Sequence, residues 1–134
     1  MNNSLSVCHL EVILDTIKLV SGYFNLDADI WVEQDGKDED YLATVENLGG
    51  NMYNIQYNAE FLSNCTTDEL VGVTSHEVVH IKQFEQDGLI LEDGMRSICG
   101  QTYKGDYWFS PWEIEARGYE AAFVHYYQDL KNNS

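Results

Sequence analysis

Two histidines and a glutamate stand at a spacing that can bind a metal ion and use it. Within residues 75–80, His76 and His80 lie four positions apart, and Glu77 directly follows the first histidine. On a helix, residues four apart share one face, so both imidazoles can reach a single ion. A glutamate beside such an ion can take a proton from water, which is the chemistry of metal-assisted hydrolysis. The alternative is that these are ordinary packing or surface residues. The helices and strands predicted around them help to distinguish the two interpretations.

The elements around the motif predict a long buried helix. Thr66 and Glu69 form a capping-box pattern at its start, and Asp87 and Gly88 mark its end. Apolar residues occur nearly all round the segment between these signals, as expected of a helix buried between a sheet and another helix. The two histidines fall in the middle of this helix.

Upstream, the pattern predicts one helix and then three strands. Residues 5–23 have the apolar spacing of an amphipathic helix. Strands are predicted at 28–32, 41–45 and Met52–Asn58, the last from strict alternation of apolar and polar residues. Short strands with tight turns predict a mostly antiparallel sheet, with the acidic residues 35–40 as a solvated turn.

Downstream, residues 89–109 combine glycines with aromatics and predict an irregular loop, or a short helix or ribbon, able to wall a cleft. Ser110 as N-cap and Pro111 at the first helical position then open a final helix to about residue 130, with 131–134 as a fraying tail. Hydrolytic zinc sites commonly use two histidines and one glutamate, and this helix offers Glu113, Glu115 and Glu120. Geometry does not decide between Glu113 and Glu115.

Length and composition predict a single α+β domain over residues 1–134. The chain is 44% apolar, and no apolar run reaches the roughly 18 residues of a membrane span. Its net charge of −16, from 23 acids against 7 Lys and Arg, disfavours nucleic acids and anionic membrane surfaces as partners. Three widely spaced cysteines and a start without a signal-peptide pattern favour reduced thiols and a cytoplasmic location.

The histidine motif and the later segment Trp112-Glu113-Ile114-Glu115-Ala116 together resemble the gluzincin zinc metallopeptidases, whose third ligand is a glutamate in a Glu-x-x-Ala segment. Within that clan the chain is similar to its smallest members, the ImmA/IrrE-type peptidases and, most of all, short predicted metallopeptidases encoded by tailed phages. The resemblance covers residues 66–120 well and the sheet only by element order.

The resemblance implies a zincin-like fold of an N-terminal helix, a three-stranded sheet, the motif helix and a glutamate helix. It implies Zn²⁺ held by His76, His80 and Glu113, with Glu115 as the alternative ligand, and a peptide or protein substrate. Glu77 would be the general base. The protein would act in the cytoplasm, which is the host cytoplasm if the chain is phage-encoded. No oligomeric state is predicted.

One position departs from the family pattern. Many gluzincins place an aspartate four residues after the ligand glutamate to orient a histidine, whereas this chain has Arg117, which cannot accept a hydrogen bond. Glu120 or a backbone carbonyl would have to take that role. Tyr103 or Tyr107 could donate to the developing oxyanion, although loop aromatics are more often packing residues.

Two other functions compete with catalysis. The −16 charge would suit a non-enzymatic acidic protein that blocks a basic partner surface, as a DNA mimic does. Alternatively, the metal could serve only as a structural clip between two helices.

Overall fold

The computed structural model describes residues 5–35, 41–92 and 94–133, and shows a mixed α+β architecture. The predicted acidic turn at residues 35–40 lies, apart from Asp35, outside the described residues. Within the described ranges there are four α-helices, namely α1 Val7–Phe24, α2 Ala59–Asn64, α3 Thr67–Gln86 and α4 Pro111–Asn132. The strands are β1 Asp29–Asp35, β2 Ala43–Gly49, β3 Met52–Asn58, β4 Ile90–Glu92, β5 Met95–Ile98 and β6 Gln101–Thr102.

The first sheet has the order β1-β3-β2, and one of its two pairings corrects the predicted antiparallel arrangement. β2 pairs antiparallel with β3 as predicted, but β1 pairs parallel with β3. β3 takes the central place because it carries the buried side chains of Tyr53, Ile55 and Tyr57, and a central strand has both backbone edges hydrogen-bonded. The tight turn is therefore the one between β2 and β3, where Gly49 and Gly50 adopt positive φ angles of 97° and 61°.

Helix α3 forms the centre of the molecule. Its start is the predicted capping box: Thr66 Oγ1 accepts from the Glu69 backbone N–H at 3.1 Å, and the Glu69 carboxylate accepts from the Thr66 N–H at 2.8 Å. The helix packs against α1, β2 and α4. Its buried apolar residues join the main core, which includes Ile13 from α1, Ile55 from β3 and Phe123 from α4.

Two details of α4 differ from the prediction. Ser110 precedes the helix, but its hydroxyl donates to the Tyr107 carbonyl instead of capping a helical N–H. The helix also continues to Asn132 where a frayed tail was predicted, and Lys131 there pairs with Asp15 of α1 at 2.9 Å.

The segment 89–109 contains the short ribbon that the sequence allowed. β4, β5 and β6 form a second, antiparallel sheet in that order, and residues Tyr107–Phe109 form a 3-10 turn before α4. The short helix α2 was not predicted from the sequence. Cys8, Cys65 and Cys99 have free thiols, as expected. In the part of the chain that is described, no helix is both long and apolar enough to cross a membrane.

Candidate metal centre

The candidate metal centre lies where the middle of α3 meets the first turn of α4. One oxygen of the Glu113 carboxylate is 3.0 Å from His76 Nε2, and the other is 2.9 Å from His80 Nε2. Candidate ligand atoms from these three residues all lie within 4.8 Å of one another. Across residues 5–35, 41–92 and 94–133, no other three metal-binding side chains converge in this way.

Local sequence explains why these side chains meet. His76 and His80 are one turn apart on α3, and their ring centroids are 4.8 Å apart. Pro111 begins α4, so Glu113 falls in its first turn. Ala116, one turn further, is fully buried, and its small side chain lets α4 lie close against α3. The pairing of the two helices therefore brings the three side chains together.

The structure separates the two glutamates that the sequence left as alternatives. Glu113 belongs to the converging group, and Glu115 does not. The Glu115 carboxylate lies 3.2 Å from Lys82 Nζ and accepts a hydrogen bond from Gln83 Nε2 at 2.9 Å. This placement favours Glu113, the residue singled out by the Glu-x-x-Ala pattern.

Each histidine has a hydrogen-bond partner on its other ring nitrogen. His76 Nδ1 lies 2.6 Å from the Glu120 carboxylate. Glu120 therefore accepts the histidine hydrogen bond that Arg117 cannot accept. His80 Nδ1 lies 2.8 Å from Gln83 Oε1. Gln83 was not predicted as part of the site, although it is a polar residue three positions after His80 on a helix predicted to be buried. Such partners fix ring orientation in metal sites.

Arg117 has a different role from the aspartate expected at its position. Its guanidinium lies 4.5 Å from the centre of the Trp108 ring and donates a hydrogen bond to the Trp108 carbonyl. Stacking of this kind is favourable for arginine. Arg117 thus ties the 3-10 turn to α4.

The electrostatics of the metal-free centre are those of an anion between two cations. Burial alone would lower the pKa of His76, but hydrogen bonds to Glu113 and Glu120 outweigh burial and raise this pKa to about 10. Burial likewise opposes a charge on His80, yet the hydrogen bond to Glu113 raises its pKa. Burial would also raise the pKa of Glu113, but the two histidines hold it well below its usual range. One divalent ion can replace the two protons without a change in net charge, so these residues fit a metal ion.

Glu77 has the environment of a general base. The residue is 7% exposed, and burial raises the pKa of its carboxyl to about 7, against the opposing effect of the two histidine charges. Its side chain lines the same cleft as His76. A base is most effective when its pKa lies near the working pH.

Of the two tyrosines considered from the sequence, the structure brings Tyr107 to the centre. Burial, together with the charge of Glu113 and a hydrogen bond with it, raises the pKa of Tyr107, so its hydroxyl stays protonated. The Tyr103 hydroxyl instead donates to the Asp106 carbonyl at 2.6 Å, and its ring packs against Trp112.

A cleft passes over the centre. Two cavities of about 390 and 310 Å³ both reach His76, Glu77 and Glu113. Ala43 at the start of β2 lies on one wall. Residues from segment 89–109 form another wall, as the sequence suggested, among them Leu91, Arg96, Tyr107 and Trp108.

Comparisons with known proteins found no match: no protein-family model fits the chain, and searches of curated proteins and of solved structures returned no similar protein. The likeness to gluzincins therefore rests on the motif residues and their spacing. The convergence of His76, His80 and Glu113 in the structure is independent of that likeness, because it follows from how α3 and α4 pack.

Proposed function

We propose that this chain is a zinc-dependent metallopeptidase of the gluzincin type, with His76, His80 and Glu113 as ligands and Glu77 as general base. The observation that carries the proposal is the Glu113 carboxylate, only 4% exposed and shared between the Nε2 atoms of both histidines at 3.0 and 2.9 Å. A buried carboxylate needs cationic partners. Two histidines and one glutamate, with a position left open to a cleft, form the ligand set of hydrolytic zinc sites.

The chain's own residues can supply the remaining chemistry of peptide hydrolysis. Zinc, when bound, supplies Lewis acidity that polarises a carbonyl and acidifies water. Glu77, whose buried carboxyl has a raised pKa in the metal-free centre, would take a proton from water and return it to the leaving amine. The protonated Tyr107 hydroxyl donates a hydrogen bond to the oxyanion that develops on the substrate carbonyl.

The edge of the first sheet offers a place for an extended peptide. β2 is an outer strand in the order β1-β3-β2, and Ala43, Thr44 and Val45 of this strand line the cleft. An edge strand can bind an extended chain through main-chain hydrogen bonds. The zincin-like assignment rests on the motif residues and their spacing, and the packing of α3 against both β2 and α4 supports it. The proposed substrate is a cytoplasmic peptide or protein.

The first test is metal content together with peptide cleavage. We expect about one zinc per purified chain by elemental analysis, and cleavage of a proteome-derived peptide library that stops with a chelator and returns with zinc. His76→Ala should lose both properties. His125→Ala is the matched control, because His125 is an exposed histidine outside the centre.

The outcomes separate the competing functions. Zinc binding with no cleavage of any library peptide would favour the metal as a structural clip. A zinc-free chain that binds a basic protein in a salt-sensitive manner would favour the DNA-mimic alternative and contradict the proposal.

A further inference from the structure

One buried side-chain amide contacts both helices that supply the candidate metal ligands, α3 and α4. Gln83 lies on α3 and is fully buried. Its oxygen is 2.8 Å from His80 Nδ1. Its nitrogen donates to the Trp112 carbonyl at 2.9 Å and to the Glu115 carboxylate at 2.9 Å. The Gln83 side chain is therefore hydrogen-bonded to the candidate ligand His80 and to Trp112, the residue before the candidate ligand Glu113.

The hydrogen-bond partners determine which way this amide faces. A backbone carbonyl and a carboxylate can only accept hydrogen bonds, so the NH₂ group of Gln83 must face Trp112 and Glu115. The amide oxygen is then left to face His80, and it too can only accept. His80 must therefore carry a proton on Nδ1, which leaves the lone pair of Nε2, when that nitrogen is unprotonated, directed at the centre.

The same amide also holds the start of α4. The Trp112 carbonyl belongs to the peptide unit that leads into Glu113, so the bond from Gln83 fixes the first turn of α4 against α3. The Glu115 carboxylate, the other acceptor, is in turn paired with Lys82. The other histidine is supported differently, because His76 is backed by Glu120, whose side chain is 37% exposed. Of the two residues that hydrogen-bond the histidines, Gln83 beside His80 is the buried one.

We propose that Gln83 is a positioning residue of the metal centre: it holds His80 in the Nδ1–H tautomer and aligns it with Glu113. This inference rests on the proposed function only in requiring that the centre binds zinc, and it makes no demand on catalysis. Groups that orient a histidine ligand typically contribute a factor of about 10–100 to metal affinity.

Competitive zinc titration with a chromophoric chelator tests the proposal. Gln83→Met keeps the side-chain length but can neither donate to Trp112 nor accept from His80, and we expect it to weaken zinc binding roughly 10–100-fold. Gln86→Met is the matched control, because the Gln86 amide is exposed on the same helix and donates to the Phe24 carbonyl, away from the metal centre. Circular dichroism of the metal-free variants checks that both fold.

Wild-type affinity in a folded Gln83→Met variant would overturn the proposal while leaving the zinc centre intact. Long-range ¹H–¹⁵N spectra of the zinc-loaded wild-type chain provide a second measurement that needs no variant. We expect His80 to show a protonated Nδ1 and zinc on Nε2, whereas zinc on Nδ1 would also overturn the proposal. A wild-type chain that takes up no zinc would instead contradict the proposed function itself.

Discussion

The metal-free chain should lose stability as the pH rises from 7 to 8.5. The main cause is that His76 is protonated in the folded chain and largely unprotonated in the unfolded chain over this range. Its pKa of about 10 in the folded chain exceeds the unfolded value of about 6.5. A group whose pKa is raised by folding contributes stability that is complete below the unfolded pKa and is lost as the pH rises toward the folded one. The expected window for His76 is therefore pH 6.5 to 10.

The magnitude follows from the number of protons that the folded chain holds and the unfolded chain does not. One retained proton lowers the unfolding free energy by about 1.4 kcal/mol per pH unit. His80, whose pKa is also raised, can add up to the same amount. Because folding raises the pKa of Glu77 from 4.5 to about 7, this group makes the unfolding free energy depend on pH mainly between those two values. The slope between pH 7 and 8.5 therefore reports chiefly on the histidines. The expected slope is about −1.4 to −2.8 kcal/mol per pH unit.

Urea unfolding followed by circular dichroism, in the presence of a chelator and at half-unit pH steps, measures this slope. His76→Gln removes one titrating group and should reduce the slope by about 1.4 kcal/mol per pH unit. His125→Gln, at an exposed histidine, is the control and should leave it unchanged. A stability that is flat between pH 7 and 8.5, or an equal slope in His76→Gln, would refute the assignment of a doubly protonated centre around Glu113.

Three further predictions test separate parts of the structure. Glu113→Gln should abolish zinc binding at micromolar zinc, whereas Glu115→Gln, which loses its charge beside Lys82 but keeps an oxygen that can accept from Gln83, should still bind about one zinc; the reverse result would reassign the third ligand. Tyr107→Phe should lower kcat by about 10²-fold if its hydroxyl stabilises the oxyanion, whereas Tyr103→Phe should lower it little, because that hydroxyl bonds to Asp106. Thr66→Ala should lower the unfolding free energy by about 1 kcal/mol through loss of the helix cap, with zinc affinity unchanged.

What could be predicted from the sequence is what depends on neighbours along the chain. The capping box at Thr66 and Glu69 is a contact between residues three apart, and its geometry appears in the structure as expected. The shared face of His76 and His80 follows from helical spacing alone. The start of α4 at Pro111 is equally local.

What could not be predicted depends on packing between distant elements. The parallel pairing of β1 with β3 joins strands separated by β2 in the chain, and no local pattern encodes that order. The choice of Glu113 over Glu115 was left open because both lie on one helix, and only the docking of α4 on α3 decides which faces the histidines. The closeness of Gln83 to His80 is local, but its bonds to Trp112 and Glu115, about thirty residues further along the chain, depend on the docking of α4 and could not be predicted.

Peptide cleavage by the Glu77→Gln variant tests directly whether the metal centre hydrolyses peptides with Glu77 as its general base. The substitution removes a buried carboxylate that lines the cleft but is not a member of the metal-binding group. We expect this variant to bind zinc in the wild-type ratio and to cleave peptides at least about 10²-fold more slowly than the wild type, because it lacks the general base. Wild-type cleavage by a zinc-loaded Glu77→Gln chain would show that Glu77 is not the general base.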